Sequence, residues 1–139
     1  MADVAVRQVV PLLAVKDMDR SLRFYADGLG FTRTNQWIVD GRIRWCWIQH
    51  GGAALMLQET VPNGERERIF ETGVGTGVSI NFVCGDALAC YHQVKERGIA
   101  TRRPFVGNHM WVVSLDDPDG YSLHFESDTD VPEDTEYDG

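Results

Sequence analysis

The chain has 139 residues, of which 43% are hydrophobic and 24% charged, which suits one domain with a buried core. The apolar stretches are broken within a few residues, and Asp3 and Arg7 interrupt the N-terminal run, so neither a membrane-spanning helix nor a secretory leader is expected. Cys46, Cys84 and Cys90 are odd in number and lack CxxC spacing; they read as reduced thiols of a cytoplasmic protein.

The net charge of −8 is unevenly placed: Asp128, Asp130, Glu133, Asp134, Glu136 and Asp138 crowd the last residues without a Lys or Arg, leaving −2 for the rest. Residues 128–139 are therefore expected to be an acidic, disordered tail. Nucleic acid is excluded as a partner because phosphate contacts need clustered cations. A membrane partner is likewise not expected.

In chain order, VVPLLAVKD is an alternating apolar run that ends on Asp17, and GVSINFVCGD is another that ends on Asp86, 69 residues later. After Asp17, Met18, Leu22, Tyr25, Ala26 and Leu29 fall on one helical face; after Asp86, Leu88, Tyr91 and Val94 do the same. Asp17 and Asp86 are natural N-caps, and Gly30 and Gly98 stand where a helix ends in a left-handed residue. Three strands are expected after each helix, roughly Thr32–Val39, Arg42–Gln49 and Ala53–Gln58, then Thr101–Phe105, Met110–Leu115 and Tyr121–Glu126. Asp40-Gly41, His50-Gly51-Gly52 and Asp117-Pro118-Asp119-Gly120 supply the turns. The order is βαβββ twice, an α+β arrangement. Module one spans about residues 8–59, a linker 60–77, and module two about 78–127, which together make a domain over 1–127. The linker's Gly73, Gly75 and Gly77 lead into a strand and follow no strand, so a phosphate-binding loop is not expected there.

AVKDMDRSLRFYADGLGF (Ala14–Phe31) resembles the opening motif of the vicinal oxygen chelate superfamily, which includes glyoxalases, bleomycin-resistance proteins and extradiol dioxygenases. DDPDGYSLHFES (Asp116–Ser127) resembles its closing turn and last strand, and ALMLQET (Ala54–Thr60) the end of its first module; the likeness runs from Val9 to Ser127. The resemblance implies that the two modules curl eight strands into an open mixed sheet around a cavity, in a homodimer. It also implies that metal-dependent members carry ligands at positions occupied here by Val10, Met56, Ser79 and His124. Valine and methionine are no ligands for a hard divalent ion, serine is a poor one, and one imidazole cannot hold the ion alone. No metal or other cofactor is therefore expected, and the metal-dependent mechanisms of the family lose their basis.

Strand alternation sets Val78, Ile80 and Phe82 toward a helix and leaves Ser79 and Asn81 on the cavity side. It gives Met56 and Gln58 the same side in module one, and an even-numbered hairpin loop would place Trp45 and Trp47 opposite Met56 and Ala54, with Cys46 and Ile48 in the core. Ser122, His124 and Glu126 alternate with Leu123 and Phe125. His109 and Trp111 precede that strand, with no facing fixed by the pattern. The candidate ligand-binding set is thus Trp45, Trp47, Met56, Gln58, Ser79, Asn81, His109, Trp111, His124 and Glu126. The two tryptophans fit core or dimer-interface positions equally well, Met56 could be filler, and His124 could be a structural hydrogen-bonded group. Arg66 and Arg68 read as a solvated face or a ligand contact.

Two functions follow. One is a small-molecule binding protein similar to bleomycin-resistance proteins, which give antibiotic resistance by sequestering a drug in aromatic grooves. The body charge of −2 gives little pull on a cationic glycopeptide, so the ligand is expected to be aromatic or drug-like without being bleomycin. The other is a glyoxalase-like lyase or isomerase working without metal, with His124 as general acid/base, assisted by Gln58 or Glu126.

Overall fold

A computed structural model describes residues 4–60 and 69–139. Arg66 and Arg68 lie outside the described residues. Module one comprises β1 (Leu12–Val15), α1 (Met18–Leu22), β2 (Thr32–Val39), β3 (Arg42–His50) and β4 (Ala53–Glu59). After a short α2 (Ile69–Thr72), module two repeats the plan with β5 (Ser79–Val83), α3 (Ala87–Glu96), β6 (Phe105–Gly107), β7 (Met110–Asp116) and β8 (Ser122–Asp128). The strands form two open four-stranded sheets, β1-β4-β3-β2 and β5-β8-β7-β6, each with one parallel pair (β1 with β4, β5 with β8) and antiparallel neighbours beyond.

The helix starts form as their sequences dictate. Asp17 accepts from the Arg20 amide at 3.2 Å and Asp86 from the Ala89 amide at 3.0 Å. A second acceptor comes from the last strand of each module: Glu59 takes the Met18 amide at 2.9 Å and Ser127 the Ala87 amide at 2.8 Å. Glu59 is buried, and the guanidinium groups of Arg42 and Arg44 neutralise it at 2.9 and 2.6 Å. Beyond Leu22 the first helix widens into π-type turns over Arg23–Gly28, marked by the Leu29 amide bonding to Phe24 O at 3.0 Å. That wider turn leaves Tyr25 wholly buried.

The core lies on the helix side of both sheets and is continuous between them. Cys46, Ile48, Leu55 and Leu57 from module one join Val113, Leu115, Leu123 and Phe125 from module two around Met18, Tyr25, Leu29, Tyr91 and Val94. The modules are stitched by Phe31 against Phe82, with ring centres 5.7 Å apart, and by Arg97 Nη1 donating to Gly28 O at 2.8 Å. A buried bond from the Tyr25 hydroxyl to Asp117, 2.8 Å long, joins them as well.

Two expectations need correction. The strand expected from Thr101 begins only at Phe105, because Pro104 has no amide to give to a ladder. Of residues 128–139, expected to be disordered, Asp128 closes β8 and 134–137 lie along β6: the Val106 amide donates to Thr135 O, the Asp134 amide to Val106 O and the Tyr137 amide to Pro104 O, each at 2.9 Å. Two features missing from the composition account for it. Tyr137 packs against Tyr91, His92 and Trp111, and Arg103 gathers Glu136 and Asp138. The tail thereby shields an otherwise open sheet edge.

Candidate functional sites on the open sheet faces

The side of each sheet away from the helices carries the residues that the alternation assigned to a cavity. In module one, Trp45 stands beside Gln58, Trp47 beside Met56, and Gln49 beside Ala54. The register is two residues from the expected pairing of Trp45 with Met56, since His50 and Ala53 close a two-residue Gly51-Gly52 loop. A shift of two preserves facing. Cys46 and Ile48 are fully buried on the other side, while Trp45, Trp47, Met56 and Gln58 are half-buried. The Trp47 indole N–H donates to Gln49 Oε1 at 2.9 Å.

Trp37 joins this face, although the sequence reading did not single it out. The Asp40-Gly41 turn, with φ of 51° and 76°, pairs Val39 with Arg42, and an unbroken ladder would then set Trp37 opposite Arg44. A bulge between Trp37 and Ile38 moves it opposite Trp45 instead, where it is 57% exposed. No sequence pattern marks that bulge. Its result is a row of three indoles across β2 and β3.

The equivalent face of module two is polar around His124, with Val83 and Val112 flanking Glu126 further along. Ser79 lies beside Ser122, Asn81 beside His124 and Val83 beside Glu126, with Ser114 of β7 opposite His124. His124 Nδ1 is 2.8 Å from Ser114 Oγ and its Nε2 3.2 Å from Ser122 Oγ, while Asn81 donates to Ser79 Oγ at 3.1 Å. Both ring nitrogens are therefore engaged by hydroxyls. The two faces adjoin at the β1–β5 seam, over a shallow hollow of about 450 Å³ lined in part by Leu12, Ser79, Asn81 and Ser122.

Two candidate residues fall elsewhere. Trp111 shares the helix-side face with Val113 and Leu115, and its ring packs 5.6 Å from Tyr137, so it is a core-edge residue with its back to His124. His109 sits at φ 62° in the Asn108-His109 turn between β6 and β7, its side chain 84% exposed. A two-residue turn takes it off the ladder, so the alternation of β7 no longer applies to it.

The metal positions of the resembling family fail on chemistry as well as register. Met56 faces Leu12 across the parallel pair, and His124 faces Asn81, while Val10 precedes β1. An alkyl chain, a thioether, a hydroxyl and a single imidazole do not make a divalent-ion site. Among the described residues no group of three or more His, Cys, Asp or Glu is placed to hold a metal ion. Likewise, among them no helix is long and apolar enough to cross a membrane.

Paired βαβββ modules, each forming an open four-stranded mixed sheet, define the fold class. Residues 6–125 match the Glyoxalase/Bleomycin resistance protein/Dioxygenase superfamily, and the chain belongs to it. The solved structures it resembles include TnmS3, an antibiotic binding protein from Streptomyces sp. CB03234, at 20% identity and a TM-score of 0.67 over 90% of this chain and 99% of that one. A glyoxylase/bleomycin resistance protein/dioxygenase domain from Frankia sp. EAN1pec gives 20% identity and a TM-score of 0.69 over 92% and 96%. A superfamily member from Sphaerobacter thermophilus gives 23% and 0.67 over 88% and 98%. At these identities the likeness carries the fold. No curated protein matches the sequence.

Proposed function

We propose that the protein binds planar aromatic, drug-like molecules, and that a ligand stacks on the indoles of Trp37, Trp45 and Trp47. The carrying observation is that row of three on one open sheet face, flanked by the thioether of Met56 and the amides of Gln49 and Gln58. Trp37, 57% exposed, leaves this aromatic row open to solvent at its β2 edge, as a stacking site requires. The polar face of module two, with Ser114, Ser122, His124 and Asn81, supplies hydrogen-bonding groups for the other side or rim of such a ligand. In this reading a homodimer brings a tryptophan face and a polar face together. That TnmS3, an antibiotic binding protein, has the same fold supports a ligand-binding role. A lyase or isomerase using His124 gains less support, because Ser114 and Ser122 already occupy both ring nitrogens.

A thermal-shift screen of fused-ring aromatic compounds, followed by tryptophan-fluorescence titration of the hits, tests this. Saturable quenching that weakens in Trp45→Ala and Trp47→Ala is the expected result. Hits whose affinity is unchanged in both variants would overturn the site. Light scattering that shows a stable monomer at micromolar concentration, with ligand and without, would remove the dimer from the reading.

A further inference from the structure

The repeat that relates the modules leaves one pair of equivalent places filled differently. In module two the turn after β7 folds against α1: Asp117 meets Tyr25, Asp119 accepts from the Lys16 amide at 3.3 Å and from Arg20 at 3.2 Å, and the Tyr121 hydroxyl reaches Ala14 O at 3.0 Å. In module one the strand register makes His50, Gly51 and Ala53 the corresponding residues. The helix this turn faces, α3, has Ala89 and Val94 where α1 has Arg20 and Tyr25. The missing side chains leave an inter-module cavity of about 760 Å³, within the range of small-molecule sites.

Its floor is aromatic: Phe82 and Phe125 stack with centres 4.9 Å apart, and Phe31 meets Phe82 edge-on. Gly52 and Gly85 line it too, and neither has the positive φ that would favour glycine. A Cβ built on either meets nothing within 4 Å. Turn geometry and packing thus leave both positions free to carry side chains, and their glycines keep the cavity open. The charged lining residues are Asp86, which caps α3 through the Ala89 amide, and Arg97, an exposed guanidinium with one nitrogen on Gly28 O.

We propose that this inter-module cavity, which borders the polar sheet face at Asn81 and Val83, is a second binding site for a compact bicyclic aryl carboxylate. The rings would lie on Phe82 and Phe125 and the acid would meet Arg97. The chain's own filling of the equivalent place is of that chemistry: the ring of Tyr121 and a carboxylate, Asp119, paired with Arg20.

The probe is 2-naphthoate, with iodoacetamide labelling mapped by mass spectrometry as the readout. Cys84 and Cys90 line the cavity, and fully buried Cys46 is the internal control. Burial pushes the Cys90 thiol up to about 11, so labelling is run at pH 9. Saturating 2-naphthoate should slow modification of both cysteines several-fold. Arg97→Gln should weaken naphthoate about tenfold, as loss of a charge-assisted contact does, and leave 2-naphthol unaffected. Gly85→Leu, or Gly52→Leu should the first variant melt early, should abolish protection. Trp47→Ala should leave protection intact even if it destroys binding on the indole face, which keeps the two sites separable. Naphthoate that binds without protecting the cysteines, or protection that survives both leucine variants, would overturn the proposal.

Discussion

Module one and module two repeat a strand order, an aspartate cap and a second acceptor from the last strand, yet their open faces share almost no chemistry. The first presents Trp37, Trp45, Trp47 and Met56; the second presents Ser79, Asn81, Ser114, Ser122 and His124. On the helix side the two are alike, with Leu55 and Leu57 answered by Leu123 and Phe125. The repeat thus preserves what folding requires, and the side turned away from the helices is where the modules diverge. The turns follow the same logic. Asp117 locks one end of the seam, whereas its counterpart His50 meets the Phe31 ring and lines the cavity left at the other end.

That difference between turns gives the largest expected effect. Asp117 Oδ1 accepts from the amides of Asp119, Gly120 and Tyr121, each at 2.9 Å, and Oδ2 accepts from the buried Tyr25 hydroxyl. Asp117→Ala strands those donors and should cost about 3 kcal/mol in urea unfolding. His50→Ala, at the equivalent place, should cost no more than about 1 kcal/mol, since this exposed imidazole meets Phe31 edge-on. Equal losses would erase the distinction between the two ends of the seam.

The edges of the sheets differ next. Ending the chain after Asp130 removes the strand-like cover of β6 and the Tyr137 ring from Trp111 and His92. A loss of about 2 kcal/mol is expected from those backbone bonds and that packing. A disordered tail would give no change.

The faces themselves come third. Trp47→Ala should weaken a stacked aromatic ligand about tenfold while costing little stability, since the ring is only half-buried. His124→Gln should alter affinity by a few-fold at most, because the imidazole contributes hydrogen bonds and no stacking. A stability loss of roughly 3–5 kcal/mol at Trp47 would instead mark a core residue.

How much of this was legible depended on whether the determinant was local. Asp17, Asp86 and the alternation of β3 to β5 act within a few residues, so the module plan and the facing of Trp45, Trp47, Ser79 and Asn81 could be read directly. Trp37 could not, because a bulge carries no sequence mark, and the facing of His109 stayed open because two turn residues interrupt the alternation. The tail was misread because charge counts ignore one anchoring tyrosine. Tyr25 with Asp117 joins positions 92 residues apart, and nothing in either segment names the other.

The smallest effect concerns pH and again separates the two ends of the seam. Burial raises the carboxyl pKa values of Asp117 and Asp119, against the bonds from their amide and hydroxyl partners. A carboxyl that is harder to ionise when folded favours the folded state most fully below its unfolded pKa, and that advantage is lost as pH rises through the folded value. Acidifying from neutrality should therefore let this pair offset part of the loss caused by carboxylates elsewhere. Asp117→Asn keeps an oxygen for the three turn amides but cannot titrate. Its unfolding free energy should fall more steeply between pH 7 and pH 4 than that of the parent, while Gln49→Glu, exposed beside the equivalent turn, should leave the parent slope unchanged. Paired urea titrations across that range measure both. Parallel curves for the parent and Asp117→Asn would mean that the seam is hydrated enough to ionise freely, and its two ends would then differ in shape without differing in polarity.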